Sequence, residues 1–312
     1  MAHDLEFFHD YAARRLYLRW SAGNPGDSFG TILLARRGNI IRSDWESRDI
    51  LVDNLAVCFG GSHGINTTNA QNVEIRNCEI KWIGGSFQEK EDRNLTRYGN
   101  AVENWGVCDG FSIHDCIVHQ CYDAGLTSQF ALPGDGSCRE GVMRNISFCN
   151  NVMSCSNSPL ELWHPDDGWR IEDCRMHGNI CMYSGYHFGQ QRPCKNGSFG
   201  CLGARSRGQT FVNTTLKGNF FLYVSAFAHY TRSLFMDGME CGIEADENTY
   251  LLGSDRFLMK GCSEPVNKRG EPRLYRYDRE TLSALAAMGV EPHSTFYYYE
   301  GPLYPEDEAQ GA

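Results

Sequence analysis

The sequence predicts an all-β fold, a single-stranded right-handed parallel β-helix (a solenoid) with inserted loops and a short C-terminal helix and cap. Three observations carry this. Six segments align without gaps on their apolar residues, a second strand pattern recurs beside them, and their spacing reads as one short period broken by insertions.

The six segments are Val52-Asp53-Asn54-Leu55-Ala56-Val57, Ile75-Arg76-Asn77-Cys78-Glu79-Ile80, Ile113-His114-Asp115-Cys116-Ile117-Val118, Phe148-Cys149-Asn150-Asn151-Val152-Met153, Ile171-Glu172-Asp173-Cys174-Arg175-Met176 and Leu216-Lys217-Gly218-Asn219-Phe220-Phe221. Their first and last positions are large and apolar. The fourth is Leu, Cys, Cys, Asn, Cys, Asn. Stacked strands lie roughly 4.8 Å apart, so such a position becomes a buried column. Asn can bond up and down it, and Cys can fill it without a polar demand. The first positions are 23, 38, 35, 23 and 45 residues apart, a period of 23 with insertions of about 15, 12 and 22 residues.

A second strand recurs in His63-Gly64-Ile65-Asn66, Asn100-Ala101-Val102-Glu103-Asn104-Trp105, Ala124-Gly125-Leu126-Thr127-Ser128-Gln129, Ser158-Pro159-Leu160-Glu161-Leu162-Trp163 and Ser184-Gly185-Tyr186-His187-Phe188-Gly189. Strand alternation turns Ile65, Val102, Leu126, Leu160 and Tyr186 inward. Asn66, Glu103, Thr127, Glu161 and His187 then form one outward column, and Trp105, Gln129, Trp163 and Gly189 a second. Insertions at about 83–98 enter before this strand, and those at about 130–142 and 190–210 leave after it. The two columns are thereby expected on the floor of a groove suited to an extended polymer.

At the N-terminus Arg15 to Leu18 and Gly30 to Leu34 read as strands around the turn-rich Ser21 to Asp27. Near the other end, Thr281 to Met288 reads as a helix capped by Gly289. The expected organisation is one β-helix over 1–231, with N-terminal strands over 1–45 and regular rungs over 46–231, then a last irregular rung and cap over 232–312.

Composition narrows the function classes. A formal net charge of −10 without clustered Lys or Arg argues against a nucleic-acid partner. No apolar run approaches the roughly 18 residues of a membrane span, and the charged N-terminus lacks a secretory pattern, so the default expectation is cytoplasmic. The 14 cysteines include no CxxC pair and read mostly as buried small hydrophobes. Neither a cofactor nor a metal is expected; Pro165-Asp166-Asp167-Gly168 after His164 reads as a turn.

The outward columns hold the chemistry. Glu103 and Glu161 lie two rungs apart, about 9–10 Å between Cα atoms, which brings their carboxyls near the roughly 6.5–9.5 Å of an inverting glycosidase. Trp105 and Trp163 offer faces on which a sugar ring stacks. Asp123, at the strand entrance, is a third acid candidate. Thr127, Gln129 and His187 share the floor, and Gln190 and Arg192 follow it, Arg192 suited to a carboxylate or sulfate.

The segments Gly60-Gly61-Ser62-His63-Gly64-Ile65, Arg97 to Glu103, Tyr122 to Gln129 and Gly189 to Pro193 resemble bacterial right-handed parallel β-helix repeat proteins of the pectate-lyase-like superfamily, over about residues 30–230. The resemblance implies a carbohydrate-active protein, and adds His63 and Tyr122 to the substrate-binding candidates, among which His164, following Trp163, is also counted. Glu291-Pro292-His293-Ser294 resembles a segment that ends such domains. The superfamily holds hydrolases, lyases, epimerases and non-catalytic fibres. The leading expectation is a glycoside hydrolase using Glu103, Glu161 and Asp123. The alternatives are a lyase or epimerase with Arg97, Arg192 or His187 as base, and a carbohydrate-binding module.

Overall fold

The computed structural model describes residues 3–10, 12–87, 97–130, 141–163, 169–184, 201–205, 211–224, 242–253, 283, 286–287, 289 and 291–299. The chain divides into two compact units, Met1–Ala35 and Arg36–Ala312.

The first unit is small and mostly exposed. Phe7–Asp10 and Arg15–Leu18 pair antiparallel, and Asn24 caps a single helical turn, Pro25–Ser28, through its side chain and the proline at its start. The strand expected at Gly30 to Leu34 is absent. That stretch is irregular, and Ile32, Leu33 and Leu34 are 47–69% exposed. A β-rich sequence with no partner strand has nothing to receive its ladder hydrogen bonds.

The second unit is mostly β and is built on three parallel sheets. One holds Ile41–Trp45, Ile65–Thr68, Val102–Trp105, Ala124–Gln129, Ser158–Trp163 and Leu202–Arg205 as consecutive neighbours. The second runs through Arg48–Asp53, Gln71–Arg76, Cys108–His114, Gly141–Cys149, Trp169–His177, Thr214–Lys217 and Ile243–Asp246. The third runs from Ala56–Gly60 to Thr295–Tyr299. The chain visits the three sheets in rotation from Ile41 to Leu222. Strands in all three therefore advance together, one triplet at a time.

Inward columns form the core. Ile65, Val102, Leu126, Leu160 and Leu202 are in register in the first sheet and at most 1% exposed. Phe221, Tyr250 and Phe296 stack in the third sheet with centroids 5.2 and 4.9 Å apart. Each such side chain contributes roughly 1.5–3 kcal/mol by leaving water. At the first-strand end, where no triplet precedes Ile41 to Gly60 among the described residues, this interior opens as a cavity of about 330 Å³ lined by Ile41, Ile50, Val52 and Ile65.

The corner between the second and third sheets explains the fourth-position pattern. Its column is Leu55, Cys78, Cys116, Asn151, Asn179, Asn219 and Asn248, each carbonyl accepting from the next strand's start. Asn179 shows the bonding. Its Oδ1 accepts from the backbone and side-chain nitrogens of Asn151, and its Nδ2 donates to Phe148 O and Asn219 Oδ1. All four amide positions are used in a fully buried site. The residue before each column member turns the chain with positive φ: Asn54, Asn77, Asp115, Asn150, Gly178, Gly218 and Glu247.

One expected register is wrong. Phe148 pairs with Met176, and Met176 with Leu216, so the segment matching Phe148 to Met153 is Met176 to Cys181. Cys174 faces Ile146 instead of joining the column. The cause is a second positive-φ position along the second sheet, occupied by Asp49, Asn72, Gly110, Asn145, Asp173 and Asn213. Asp173 sits there and accepts from Asn213. Asp173-Cys174 thus mimics the corner pairs Asn77-Cys78 and Asp115-Cys116, while the corner of that triplet is Gly178-Asn179. The true column separations after Cys116 are 35, 28, 40 and 29 residues.

The ten described cysteines carry free thiols. Burial pushes the Cys108 and Cys116 thiols up to about 12, in keeping with packing rather than reactivity. Two of the sheets continue past residue 231 through Ile243–Asp246 and Thr249–Gly253. There Glu291 ends the Asn column, accepting from Asn248 Nδ2 at 3.0 Å and from the hydroxyls of Tyr250 and Ser294. Ser283, Ala286 and Ala287 are helical, and Gly289 follows with φ +79.

Substituting Asn179→Leu strands two donors of Asn151 and the carbonyl of Phe148. It should lower the unfolding free energy by at least about 2 kcal/mol. Asn151→Cys, which extends the Cys78 and Cys116 pattern, should cost less. Urea midpoints compare the two, and an unshifted midpoint for Asn179→Leu would refute the ladder's energetic role.

Candidate functional site

The first sheet carries the expected columns. Asn66, Glu103, Thr127 and Glu161 are register partners on consecutive strands, as are Thr68, Trp105, Gln129 and Trp163. The next strand is Leu202–Arg205, so Gly203 stands opposite Glu161, and Arg205 opposite Trp163. The column positions next to Glu161 and Trp163 are thus Gly203 and Arg205, where His187 and Gly189 are expected. The insertion there precedes the strand instead of following it. His187, Gln190, Arg192 and His164 lie outside the described residues, as do 88–96 and 131–140 of the expected groove walls.

Glu103 is expected on an outward face, yet it is 3% exposed. Neighbouring strands supply donors to its carboxylate. Asn66 Nδ2 donates to Oε1 at 3.0 Å, while Asn100 Nδ2 and Gln129 Nε2 donate to Oε2, the latter at 3.2 Å. His63 Nδ1 lies 3.1 Å from the same Oε2. Burial outweighs the amide donors and raises the carboxyl to about 7, with Asp123 adding to the rise. Asp123, half-buried, is thus within electrostatic reach of both Glu103 and His63.

His63 belongs to this cluster through the strand entrance. It sits where the chain enters Ile65–Thr68, beside Asn100, whose backbone N–H donates to Nδ1 at 3.1 Å. Burial lowers the imidazole to about 4, partly opposed by Asp123. The ring is therefore neutral at neutral pH, and its approach to Glu103 is a close contact rather than an ion pair. Tyr98 covers it, with ring centroids 4.9 Å apart, and bonds Ser62 at 2.9 Å. The short pair Ser86–Phe87 and Arg97–Tyr98 delivers Tyr98 there. That delivery needs Gly84 and Gly99, both at positive φ, because a Cβ on Gly99 would come within 2.0 Å of Gly84 Cα.

Glu161 is half-buried and accepts from the Thr127 hydroxyl at 3.0 Å. Thr127 is 0% exposed, so it orients Glu161 and does not meet a substrate as expected. Tyr122 is 1% exposed and likewise is no surface contact; its backbone is tied to Ile83, and Gly84 packs against its Cβ. Trp105 and Trp163 are half-buried, and their rings lean together to 6.5 Å across the strand between them. They can do so because Gln129, which stands between them in register, turns to Glu103.

The first sheet and its strand entrance thus offer one buried protonatable carboxyl, one half-buried carboxylate-bearing residue two strands away, a neutral imidazole and a pair of aromatic faces. Among the described residues no group of three or more His, Cys, Asp or Glu is arranged to hold a metal. Comparison with protein-family models, with curated proteins and with solved structures finds no match.

Glu103 and His63 act on stability in opposite directions. Glu103, raised from 4.5 to about 7, makes the folded state less stable as pH rises through that window, since the folded form binds the extra proton. His63, lowered from 6.5 to about 4, makes it less stable as pH falls through its own window. Each tenfold change in proton affinity corresponds to about 1.4 kcal/mol, so the two contributions largely cancel between pH 4.5 and 6.5. In Glu103→Gln only the His63 contribution remains, and chemical unfolding should show stability climbing from pH 4 to 6.5 more steeply than in the parent. Parallel pH curves would refute the assignment.

Proposed function

We propose that the three parallel sheets are the faces of one right-handed parallel β-helix, and that its first sheet is the floor of a carbohydrate-cleaving site. The rotation of the chain through the sheets supports the first part, because each return to a sheet lands one strand spacing further along.

The observation that carries the second part is the pairing of Glu103 and Glu161 on one column with unequal environments. Two strand spacings separate their Cα atoms by about 9–10 Å. Glu103 is buried and protonated near neutrality, while Glu161 is half-buried and held by Thr127. Two carboxyl groups pushed to different roles by their surroundings are what glycosidic hydrolysis requires, one giving a proton to the leaving oxygen and one activating water. The chain is read as a glycoside hydrolase of a poly- or oligosaccharide, with Trp105 and Trp163 as the sugar platform. Asp123 lies within electrostatic reach and helps hold the Glu103 proton.

A lyase or epimerase is the second reading, with half-buried Arg97 on the neighbouring strand pair as a cation for a uronate. A panel of neutral and acidic polysaccharides separates the readings by product mass. Hydrolysis adds one water per cleavage; Glu161→Gln should then lower turnover by about 10²–10⁴-fold with the fold unchanged. Products with a new near-ultraviolet absorbance would establish elimination instead. Binding without any product would leave a recognition module.

A further inference from the structure

We propose that the sugar chain lies across the strands of the first sheet, along the direction in which they stack, with Trp45 as an outlying platform, so that the substrate is a polysaccharide rather than a short oligosaccharide. This rests on the carbohydrate-cleaving reading of the site and adds a length requirement to it.

Register is the first argument. Trp45 pairs with Thr68, which continues the column of Trp105, Gln129 and Trp163. Tryptophan thus stands in this column on the first, third and fifth strands of the sheet, at Trp45, Trp105 and Trp163. A bulge brings Trp45 there, since the register shifts between Arg42 and Trp45. Without the extra residue, Asp44 would stand opposite Thr68. A bulge at a sheet edge re-aims a side chain, and here it exchanges a carboxylate for an indole. The backbone behind the indole is fixed, because Glu46 N–H donates to Thr68 O at 3.1 Å.

Exposure is the second. Trp45 is 67% exposed, whereas Trp105 and Trp163 are half-buried and lean on each other. Among the described residues no ring stacks on Trp45. An indole left this open beside polar Asn66 and Thr68 offers its flat faces to a sugar ring. The residues between the tryptophans leave the way clear: Thr68 is short and 9% exposed, and Gln129 turns to Glu103. Arg42 stands on the same strand as Trp45, opposite Asn66 in the column of Glu103 and Glu161. It is exposed and has no ion pair among the described residues, so its donors are open to ring hydroxyls beside the indole.

Length follows from spacing. Trp45 and Trp163 are four strand spacings apart, about 19 Å. A pyranose in an extended chain advances by about one such spacing, so a chain resting on both tryptophans has about five sugars. The strand midway between Glu103 and Glu161 carries Thr127 and lies three spacings from that of Trp45. Cleavage there falls about three sugars from the outlying platform. Contact so far from the reacting bond can be expressed in turnover as well as in affinity, because it holds the chain in place at the carboxyl pair.

Chain-length kinetics test this. The probes are size fractions, from the disaccharide upward, of the polysaccharide that the parent cleaves. For the parent, kcat/KM should climb until the chain reaches Trp45. Trp45→Ala should lower it about tenfold on long fractions, and less than about twofold on those too short to run from the carboxyl pair to Trp45. Trp45→Phe should recover most of the loss, and both variants should keep the parent's urea midpoint. A loss equal at all lengths, or none at any, would overturn the outlying platform and leave the cleaving site standing. A lowered urea midpoint with a uniform loss would make Trp45 a packing residue and overturn it equally. If the parent binds without cleaving, retardation of each variant in gels containing the bound polysaccharide and its short fractions gives the same comparison. A parent that neither cleaves nor binds any member of the panel would sink the carbohydrate reading, and the platform with it.

Discussion

Everything in the second unit depends on keeping register from one strand triplet to the next, and the buried amides of Asn151, Asn179, Asn219 and Asn248 are the interaction least tolerant of losing it. Apolar columns are forgiving, because Ile, Phe, Met and Leu exchange within them. An enclosed carboxamide is not, since each unpaired donor or acceptor costs about 1–3 kcal/mol. A one-residue slip would also turn each strand's inward set outward. The first sheet inherits this precision. Glu103 meets Asn66 on one side and Gln129 on the other only because those strands are held in step.

The site spends that order on an unfavourable act, the enclosure of a carboxyl. Three amides reduce the cost of the charged form without removing it, and Asp123 raises it again. His63 is buried beside it at a cost of the opposite sign. A structural ion pair would show each partner's charged form favoured by the other. Here burial dominates both and favours the neutral form of each. This distinguishes the pair from the exposed clasp of Arg76 with Asp53 and Glu74 on the second sheet, where each group's charged form is favoured.

Alternation and spacing suffice to read the column of Glu103, Thr127 and Glu161 and the partnering of Trp105, Gln129 and Trp163, because inward Val102, Leu126 and Leu160 fix the phase of each strand. Pattern does not separate the corner Asx from the Asx along the second sheet, so it aligns Asp173 with Asn150 although the two occupy different turns of the chain. Nor does alternation report depth. Glu103 and Thr127 point away from the core and are still enclosed, because neighbours on adjacent strands and at the strand entrance close over them. The role of His63 is legible in the sequence only as membership of a motif. Its bond to the Asn100 backbone is a contact between successive triplets, visible once His63 is known to stand beside Asn100.

The Asn column also has a direction. Each interior carboxamide gives through its nitrogen to the following one and receives on its oxygen from the one before, so any such member can hand on to another of its kind. The ends differ: Cys116 offers only its backbone N–H to Asn151, and Glu291 only accepts. A chain built this way can lengthen or shorten by whole triplets through duplication or loss in its middle, with no new chemistry at the joint. Both ends of the amide run are held by residues that do not pass the pattern on, so growth of that run over evolutionary time is expected from within it.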